Sequence, residues 1–267
     1  MAVINISLDD LKKLKCLKTS GHNNGGKLHI YNDELLYKIF YDRNFFIDEK
    51  ERNVDFLSKL SIPNCTPPID KILIDGKFYG YSLKYIKCAQ TFKEGINNVS
   101  LSLKRKLEII KDIYIPLKYL HAKELYLGDV HLDNFIYDNQ KGYLIDLDDV
   151  RFKYDDFKFK TYYNLRETQF SPLIVAENAN TDNIKTTICS LSFIYGINIE
   201  EYIKNNSIES LCQIIKQLSL SKSTKNYIID NLKNLDGTLS YFGEYLDEFD
   251  DQSLSYNKEK ILKLIKK

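Results

Sequence analysis

This chain of 267 residues is short of net charge, and that shortage excludes whole classes of partner. Its 38 basic and 37 acidic side chains leave a net charge of only +1. A balance this even provides no electrostatic footprint for nucleic acid or for an acidic membrane surface. We therefore expect no nucleic-acid partner.

Paired cysteines and long apolar runs are also missing. The five cysteines are scattered, odd in number and without any C-x-x-C spacing, which argues against a disulfide framework or a zinc site. No segment approaches the roughly 20 apolar residues that a membrane-spanning helix needs. The first fifteen residues, MAVINISLDDLKKLK, have no signal-peptide core. We expect a cytoplasmic protein without a membrane span.

The chain does have enough apolar residues for a large core. Apolar side chains account for 43% of the residues and aromatic side chains for 13%. That content and length suit one large domain or two lobes that fold without a partner.

The most informative stretch covers residues 120–149, LHAKELYLGDVHLDNFIYDNQKGYLIDLDD. Within it Asp129, Asn134 and Asp146 are five and then twelve residues apart, each beside an apolar stretch. Amide and carboxylate oxygens suit Mg²⁺, so Asn134 and Asp146 would hold the metal from two neighbouring strands. Asp129 would orient an acceptor hydroxyl and take its proton. This spacing is typical of a phosphoryl-transfer site, and a pair of capped turns is the alternative.

The segment resembles the catalytic loop of the protein-kinase-like superfamily, whose pattern is H-R-D-x-x-x-x-N followed by D-F-G. Residues 101–123, just before it, carry apolar side chains at a helical period. The Leu-His pair that ends this predicted helix lies eight residues before Asp129, as in kinases.

Several positions depart from that pattern. Leu127 and Gly128 replace the His-Arg pair, His131 replaces a common Lys, and Asp146-Leu147-Asp148 replaces D-F-G. The variant is more similar to aminoglycoside and choline kinases and to atypical bacterial kinases. The resemblance puts His131 near the transferring phosphoryl group, and a structural His that bonds the loop backbone is the alternative. Without the Gly, Asp148 becomes a candidate extra metal ligand.

Residues 17–40 read as strand, glycine loop, strand, turn and strand. Gly21, Gly25 and Gly26 would let backbone N–H groups approach phosphate oxygens. Their spacing differs from G-x-G-x-x-G, and a plain hairpin loop is the alternative.

Lys38 lies between apolar neighbours in the last of these strands. An isolated Lys is costly to bury unless it meets an anion, and the resemblance implies that Lys38 holds the α and β phosphates of ATP. A solvent-facing Lys is the alternative.

The carboxylate partner of Lys38 should come from the predicted helix at 48–60. An ungapped comparison places Asn53 at the Glu position of the family. We expect Glu51 to be the partner, with Glu49 and Asp55 as alternatives.

A hairpin is predicted over residues 71–85, with its turn at 75–77, and it would lead into a hinge at about 83–88. By position, Leu83 resembles the gatekeeper, and the backbones of Lys84 and Ile86 would meet the adenine edge.

Downstream, residues 169–173 and a helical run at 183–195 resemble an activation segment and the core helix that follows it. Leu173 stands where the family has Glu, and Thr187 stands where that helix usually has Asp. Both losses weaken the expectation of a conventional peptide platform. The remaining segments read as amphipathic helices at 200–205, 208–218, 224–235 and 239–249.

The resemblance implies an α+β, bilobal protein-kinase-like fold with ATP between the lobes. Residues 1–86 would form a small β-rich N-lobe with one helix, and residues 87–267 a larger, mainly helical C-lobe. The predicted function is ATP- and Mg²⁺-dependent transfer of the γ-phosphoryl group to a hydroxyl, with Ser/Thr of a protein preferred. Alternatives are a small-molecule kinase of aminoglycoside/choline kinase type and a nucleotide-binding pseudokinase scaffold.

Overall fold

The structure, a computed structural model, describes residues 1–17, 26–41, 47–98, 100–127, 129–152, 178–199, 202, 208–233 and 241–265. It is a mixed α+β arrangement with a six-stranded sheet in the N-terminal part and a mainly helical C-terminal part.

The N-terminal sheet has the spatial order β1-β5-β6-β4-β3-β2. Its strands are β1 (Val3–Asn5), β2 (Lys15–Cys16), β3 (Lys27–Ile30), β4 (Leu35–Ile39), β5 (Lys71–Ile74) and β6 (Lys77–Lys84). Neighbouring strands are antiparallel except β1, which runs parallel to β5. Helix α1 (Leu8–Lys13) follows β1, and α2 (Ile47–Leu57) follows β4.

Backbone contacts fix the centre of this sheet. In β4, Lys38 lies opposite Leu28 on one side and Tyr81 on the other. A Cβ on Gly80 would lie only 1.9 Å from the carbonyl oxygen of Lys38, so β6 needs glycine there to approach β4. The predicted hairpin turn is confirmed, with positive φ at Asp75 and Gly76.

The C-terminal part is built on helices. They are α3 (Phe92–Gly95), α4 (Leu103–His121), α5 (Ala179–Tyr195), α6 (Ile208–Gln217), α7 (Lys222–Lys233) and α8 (Asp251–Ile265). Three 3₁₀ helices cover Leu132–Asn134, Leu147–Asp149 and Phe242–Glu248, the last where an α-helix was predicted. Among the helices described, none is both long and apolar enough to cross a membrane.

Short strands complete this part. They are β7 (Gln90–Thr91), β8 (Leu125–Tyr126), β9 (Phe135–Tyr137), β10 (Gly142–Leu144) and β11 (Arg151–Phe152). The predicted hairpin is confirmed as β9 and β10, and it packs on α4. A Cβ on Gly142 would meet the carbonyl oxygen of Ile109 at 2.4 Å, and the Gly142 N–H donates to Asp112 Oδ2 at 3.0 Å. These contacts with α4 therefore fix the position of the hairpin that leads to Asp146.

Two apolar clusters flank the candidate site. One lies under the sheet, formed by Leu36, Phe40, Val54, Phe78, Tyr81 and Leu83. The other is larger and surrounds α4, the β9–β10 hairpin and α5. Helix α2 contributes to both, through Val54 in the first and Leu57 in the second. The five cysteines are free thiols.

Candidate active site

Lys38 is buried on β4, with 6% of its surface exposed. Its ammonium forms ion pairs with Asp146 and with Asp148, the latter at 2.6 Å from Oδ1. The sequence predicted that this lysine would meet an anion, and two carboxylates of the same chain provide it. Burial favours the neutral amine, but the two carboxylates outweigh it and raise the pKa of Lys38.

Asp146 is the more accessible of these two carboxylates. It follows β10 in the left-handed region, at φ 64°, and its side chain is 33% exposed. Burial raises the pKa of Asp146 to about 7; Asp148 acts in the same direction and Lys38 opposes it. Asp146 is thus held by Lys38 while solvent can still reach it.

Asp148 is enclosed on both oxygens. Its side chain has no exposed surface, Oδ1 accepts from Lys38 and from the Tyr81 hydroxyl at 3.0 Å, and Oδ2 accepts from Lys50 at 2.5 Å. Burial alone would raise the pKa of Asp148, but the two ammonium groups outweigh it and hold that pKa well below its usual range. Asp148 therefore stays ionised inside the protein.

The expectation that Glu51 pairs with Lys38 is wrong. Glu51 and Asp55 bind Lys71 instead, at 2.7 and 2.6 Å. The alternative Glu49 binds Arg151 at 2.5 Å. Residues four apart share one face of a helix, and on α2 the face of Glu51 and Asp55 is directed to β5 rather than to Lys38.

Asn53 holds the segment that carries Asp148. It is buried, and its Nδ2 donates to the carbonyl oxygens of Asp148 and Val150, both at 2.9 Å. At the position where the kinase-like pattern has Glu, this chain has an amide that holds the backbone of the segment after β10.

The predicted catalytic loop leaves Asp129 partly open. Its side chain is 47% exposed, and Nε2 of His131 lies 3.4 Å from Asp129 Oδ2. His131 also caps the 3₁₀ helix that follows, because its Nδ1 accepts from the Asp133 N–H at 3.2 Å. This hydrogen bond supports a structural role for His131. Its role near a phosphoryl group stays a prediction.

Asn134 connects this loop to the strand before Asp146. It is buried, its Nδ2 donates to the carbonyl oxygen of Asp129 at 2.8 Å, and its own carbonyl oxygen accepts from the Ile145 N–H at 3.0 Å. Its amide oxygen is the atom with which Asn134 would bind a cation.

A buried aspartate in α5 holds the backbone at the start of the predicted catalytic loop. Asp182 Oδ2 accepts from the Leu127 N–H at 2.6 Å and lies 3.0 Å from Nε2 of His121. The sequence comparison pointed to Thr187 in this helix, whereas the buried acid of α5 that bonds the loop backbone is Asp182, five positions earlier. Thr187 itself donates to the Asn183 carbonyl inside the helix.

The remaining predicted binding residues lie at the predicted glycine loop and at the end of β6. Gly26, at φ +111°, packs closely on the Ile39 carbonyl, which explains a glycine there on structural grounds. Lys84 ends β6, and the Ile86 carbonyl accepts from the Ala89 N–H. Gly21 and Gly25 lie outside the described residues, as does the segment 169–173. The adenine and phosphate contacts stay predictions.

The donor set suits a metal that shares its ligands with a substrate. In the part of the chain that the structure describes, no group of three or more His, Cys, Asp or Glu side chains is placed to hold a metal ion. Mg²⁺ is commonly bound by one or two carboxylates together with substrate phosphates. A partly exposed Asp146, one residue after the Ile145 that bonds the Asn134 carbonyl oxygen, is compatible with that second arrangement.

No protein-family model matches this chain, and no curated protein is significantly similar to it.

Sequence reasoning missed three members of this site: Lys50, Tyr81 and Asp182. The sequence did contain a signal for Lys50. Helix α2 has Asn53 at the position where Glu was expected, and the segment that packs on α2 has an extra carboxylate, Asp148. The loss of an acid on the helix and the gain of an acid on the facing segment suggest that the helix provides the basic residue of the ion pair. Tyr81 had no such signal, because an aromatic residue in an alternating strand reads simply as core.

Proposed function

We propose that this chain is an ATP- and Mg²⁺-dependent phosphotransferase with a bilobal protein-kinase-like fold, which moves the γ-phosphoryl group to a hydroxyl acceptor. The observation that supports it most is the ion pair between Lys38 and Asp146, which are 108 residues apart. A phosphoryl-transfer site needs a lysine for the phosphates and a carboxylate for the metal at one place.

Further contacts support the assignment of roles. Asn134 links the loop to the strand before Asp146, because its Nδ2 donates to the Asp129 carbonyl oxygen and its own carbonyl oxygen accepts from the Ile145 N–H. Asp182 accepts from the Leu127 N–H, two residues before Asp129. Four separated segments thus converge on one site, as positioning of reacting groups requires.

The chain's own groups divide the work. Asp129, partly exposed, would accept the proton of the acceptor hydroxyl. Lys38 would transfer its ammonium from Asp146 to phosphate oxygens when nucleotide enters. Mg²⁺ bound by Asp146 and Asn134 would neutralise charge on the phosphates. The buried Asp148 would keep Lys38 in place during that exchange.

The acceptor class follows from the sequence resemblance alone. Ser/Thr of a protein is the preferred acceptor, and a small hydroxyl compound of the kind that aminoglycoside and choline kinases use is the alternative. The two differ in where the label goes, so one experiment separates them.

The test is incubation of the purified chain with γ-labelled ATP and Mg²⁺, alone, with a generic protein acceptor and with a panel of small hydroxyl compounds. Asp129→Ala should lower kcat by roughly 10²- to 10⁴-fold, the usual contribution of a general base, with little change in ATP affinity. Glu108→Ala is the matched control, because Glu108 is also 47% exposed but lies on α4.

Label on protein that disappears in Asp129→Ala supports the preferred acceptor, and label on a small molecule supports the alternative. Tight ATP binding without transfer to any acceptor would favour a pseudokinase scaffold. An effect of Asp129→Ala no larger than that of Glu108→Ala would refute the role of Asp129.

A further inference from the structure

The two carboxylates that bind Lys38 differ in how much room they leave for another ligand. Asp146 is one-third exposed and contacts Lys38, so its oxygens can turn to a new cation. Asp148 has no exposed surface, and three donors already occupy it: Lys38, Lys50 and the Tyr81 hydroxyl. A metal at Asp148 would have to displace ammonium groups from a site without water access, which is costly.

Helix α2 contributes a cation to this arrangement. Lys50 is 14% exposed, and its Nζ binds Asp148 Oδ2 and Asp149 Oδ1, the latter at 2.9 Å. The ammonium also lies 5.0 Å from the centre of the Phe40 ring. Asn53, one turn later on α2, holds the Asp148 carbonyl oxygen. Both the side chain and the backbone of Asp148 are therefore attached to this helix.

We propose that Asp148 is a positioning residue for Lys38 and that Lys50 on α2 holds it in place, so that an ion-pair relay Lys38–Asp148–Lys50 connects β4 to α2. This inference rests on the proposed function, in which Lys38 binds the phosphates of ATP. In the family pattern a carboxylate on the helix pairs with the strand lysine. Here the helix provides the base, and the carboxylate comes from the segment after β10.

The relay explains why Lys38 can release Asp146 without becoming an unpaired buried charge. An ammonium buried alone would lose a proton or move toward solvent. With Asp148 on its far side, Lys38 keeps one partner while phosphate takes the place of Asp146. Lys50 balances the charge of Asp148 and Asp149, so the carboxylates do not hold Lys38 too tightly to share it.

Lys50→Met is the sharpest variant, because it removes the outer end of the relay and leaves the pair of Lys38 and Asp148 intact. Lys71→Met is its matched control. Lys71 is also 14% exposed, binds two carboxylates, Glu51 and Asp55, and lies near a phenylalanine ring, but it has no contact with Asp148.

We expect Lys50→Met to weaken Mg²⁺-ATP binding about tenfold, a size typical of the coupling between members of one salt-bridge network. Lys71→Met should leave the affinity unchanged, and Lys50→Arg should restore most of it. The Mg²⁺ concentration for half-maximal nucleotide binding should not change in Lys50→Met, whereas Asp146→Asn should raise it. Calorimetric titration of ATP at several Mg²⁺ concentrations measures all of these.

Two results would overturn the relay. One is equal ATP affinity in Lys50→Met and Lys71→Met. The other is a shift in the Mg²⁺ requirement of Asp148→Asn as large as that of Asp146→Asn, because Asp148 would then be a metal ligand, as the sequence first suggested. Circular dichroism checks that each variant is folded, and a misfolded Asp148→Asn leaves the Lys50 comparison decisive.

A cycle of urea unfolding on wild type, Lys50→Met, Asp148→Asn and the double variant tests the ion pair without any nucleotide. Non-additive shifts of the unfolding midpoint would support direct coupling, and additive shifts would contradict it. If the wild type binds no Mg²⁺-ATP, the proposed function and the positioning role both fail. The cycle would then show separately whether the ion pair exists.

Discussion

Two buried lysines in this chain have opposite surroundings. Lys38, between the sheet and the β9–β10 hairpin, meets two carboxylates, and its pKa is raised. Lys106, on α4, donates to the carbonyl oxygens of Phe193 and Ile194 at 2.8 and 3.3 Å. Burial, with the nearby charge of Lys258, lowers the pKa of Lys106 to about 8.

The two lysines differ in whether a binding partner could be exchanged for a ligand. The Lys106 ammonium caps the C-terminal end of α5, where backbone carbonyls carry partial negative charge and cannot move away. Lys38 is bound by side chains, one of them partly exposed, and under the proposed function a phosphate would replace that partner. Burial alone therefore does not distinguish the two lysines, whereas a partly exposed carboxylate partner is found only at Lys38 of the two.

The largest expected effect on nucleotide binding concerns that exchangeable partner, Asp146. Asp146→Asn should weaken Mg²⁺-dependent ATP binding by at least the roughly 10- to 100-fold seen when residues behind a metal ligand are changed. Lys38 would still keep Asp148, so the fold should survive. The measurement is ATP titration at fixed Mg²⁺, and an unchanged affinity would refute the metal role of Asp146.

The region of α5 should affect rate without affecting nucleotide binding. Asp182→Asn removes the charge that holds the Leu127 backbone and His121, and it should lower kcat about tenfold through misplacement of the catalytic loop. The KM for ATP should not change.

Tyr241→Phe is the control for Asp182, because its hydroxyl bonds the other nitrogen of His121 at 3.0 Å and does not touch the loop backbone. A fall in kcat equal to that of Asp182→Asn would assign the effect to His121 rather than to the loop. Steady-state kinetics on both variants separates the two.

Much of this architecture could be predicted from local pattern. The period of apolar residues predicted α4 within two residues at each end, and alternation predicted β4, with Lys38 in it. Strand β1 was missed because three residues are too few to show alternation, and Val3 is exposed.

The errors in the site concern which side of a helix each side chain lies on and which distant segments come into contact. Lys50 and Glu51 are neighbours in sequence, but one residue turns a helix by about 100°, so only Lys50 is directed to Asp148. Position along the chain could not reveal which face of α2 packs on the hairpin. Asp182 was missed because no local pattern shows which polar side chain of α5 meets the backbone of Leu127, 55 residues earlier.

The smallest effect is a difference in the pH dependence of stability. The pKa of Lys106 falls from 10.5 in the unfolded chain to about 8 in the folded one, so between these values the unfolded chain binds more protons and stability rises with pH. Relative to Lys106→Met, wild type should gain about 1 to 2 kcal/mol from pH 7 to pH 10, after allowing for solvent screening.

Urea unfolding of both proteins at the two pH values measures this gain. Lys258→Met should reduce it, because Lys258 helps to lower the pKa of Lys106. If the stability of wild type relative to Lys106→Met stays constant or falls with rising pH, the assignment of Lys106 as a buried lysine that caps α5 is contradicted.

The most direct test of the central claim, that the Lys38 cluster binds nucleotide phosphates, is calorimetric titration of Mg²⁺-ATP into wild type, Lys38→Met and Lys106→Met, each checked for folding. We predict that wild type binds, that Lys38→Met binds roughly 10- to 100-fold more weakly through loss of charged hydrogen bonds, and that Lys106→Met binds like wild type. Equal affinity in all three proteins, or equal losses in both variants, would contradict it.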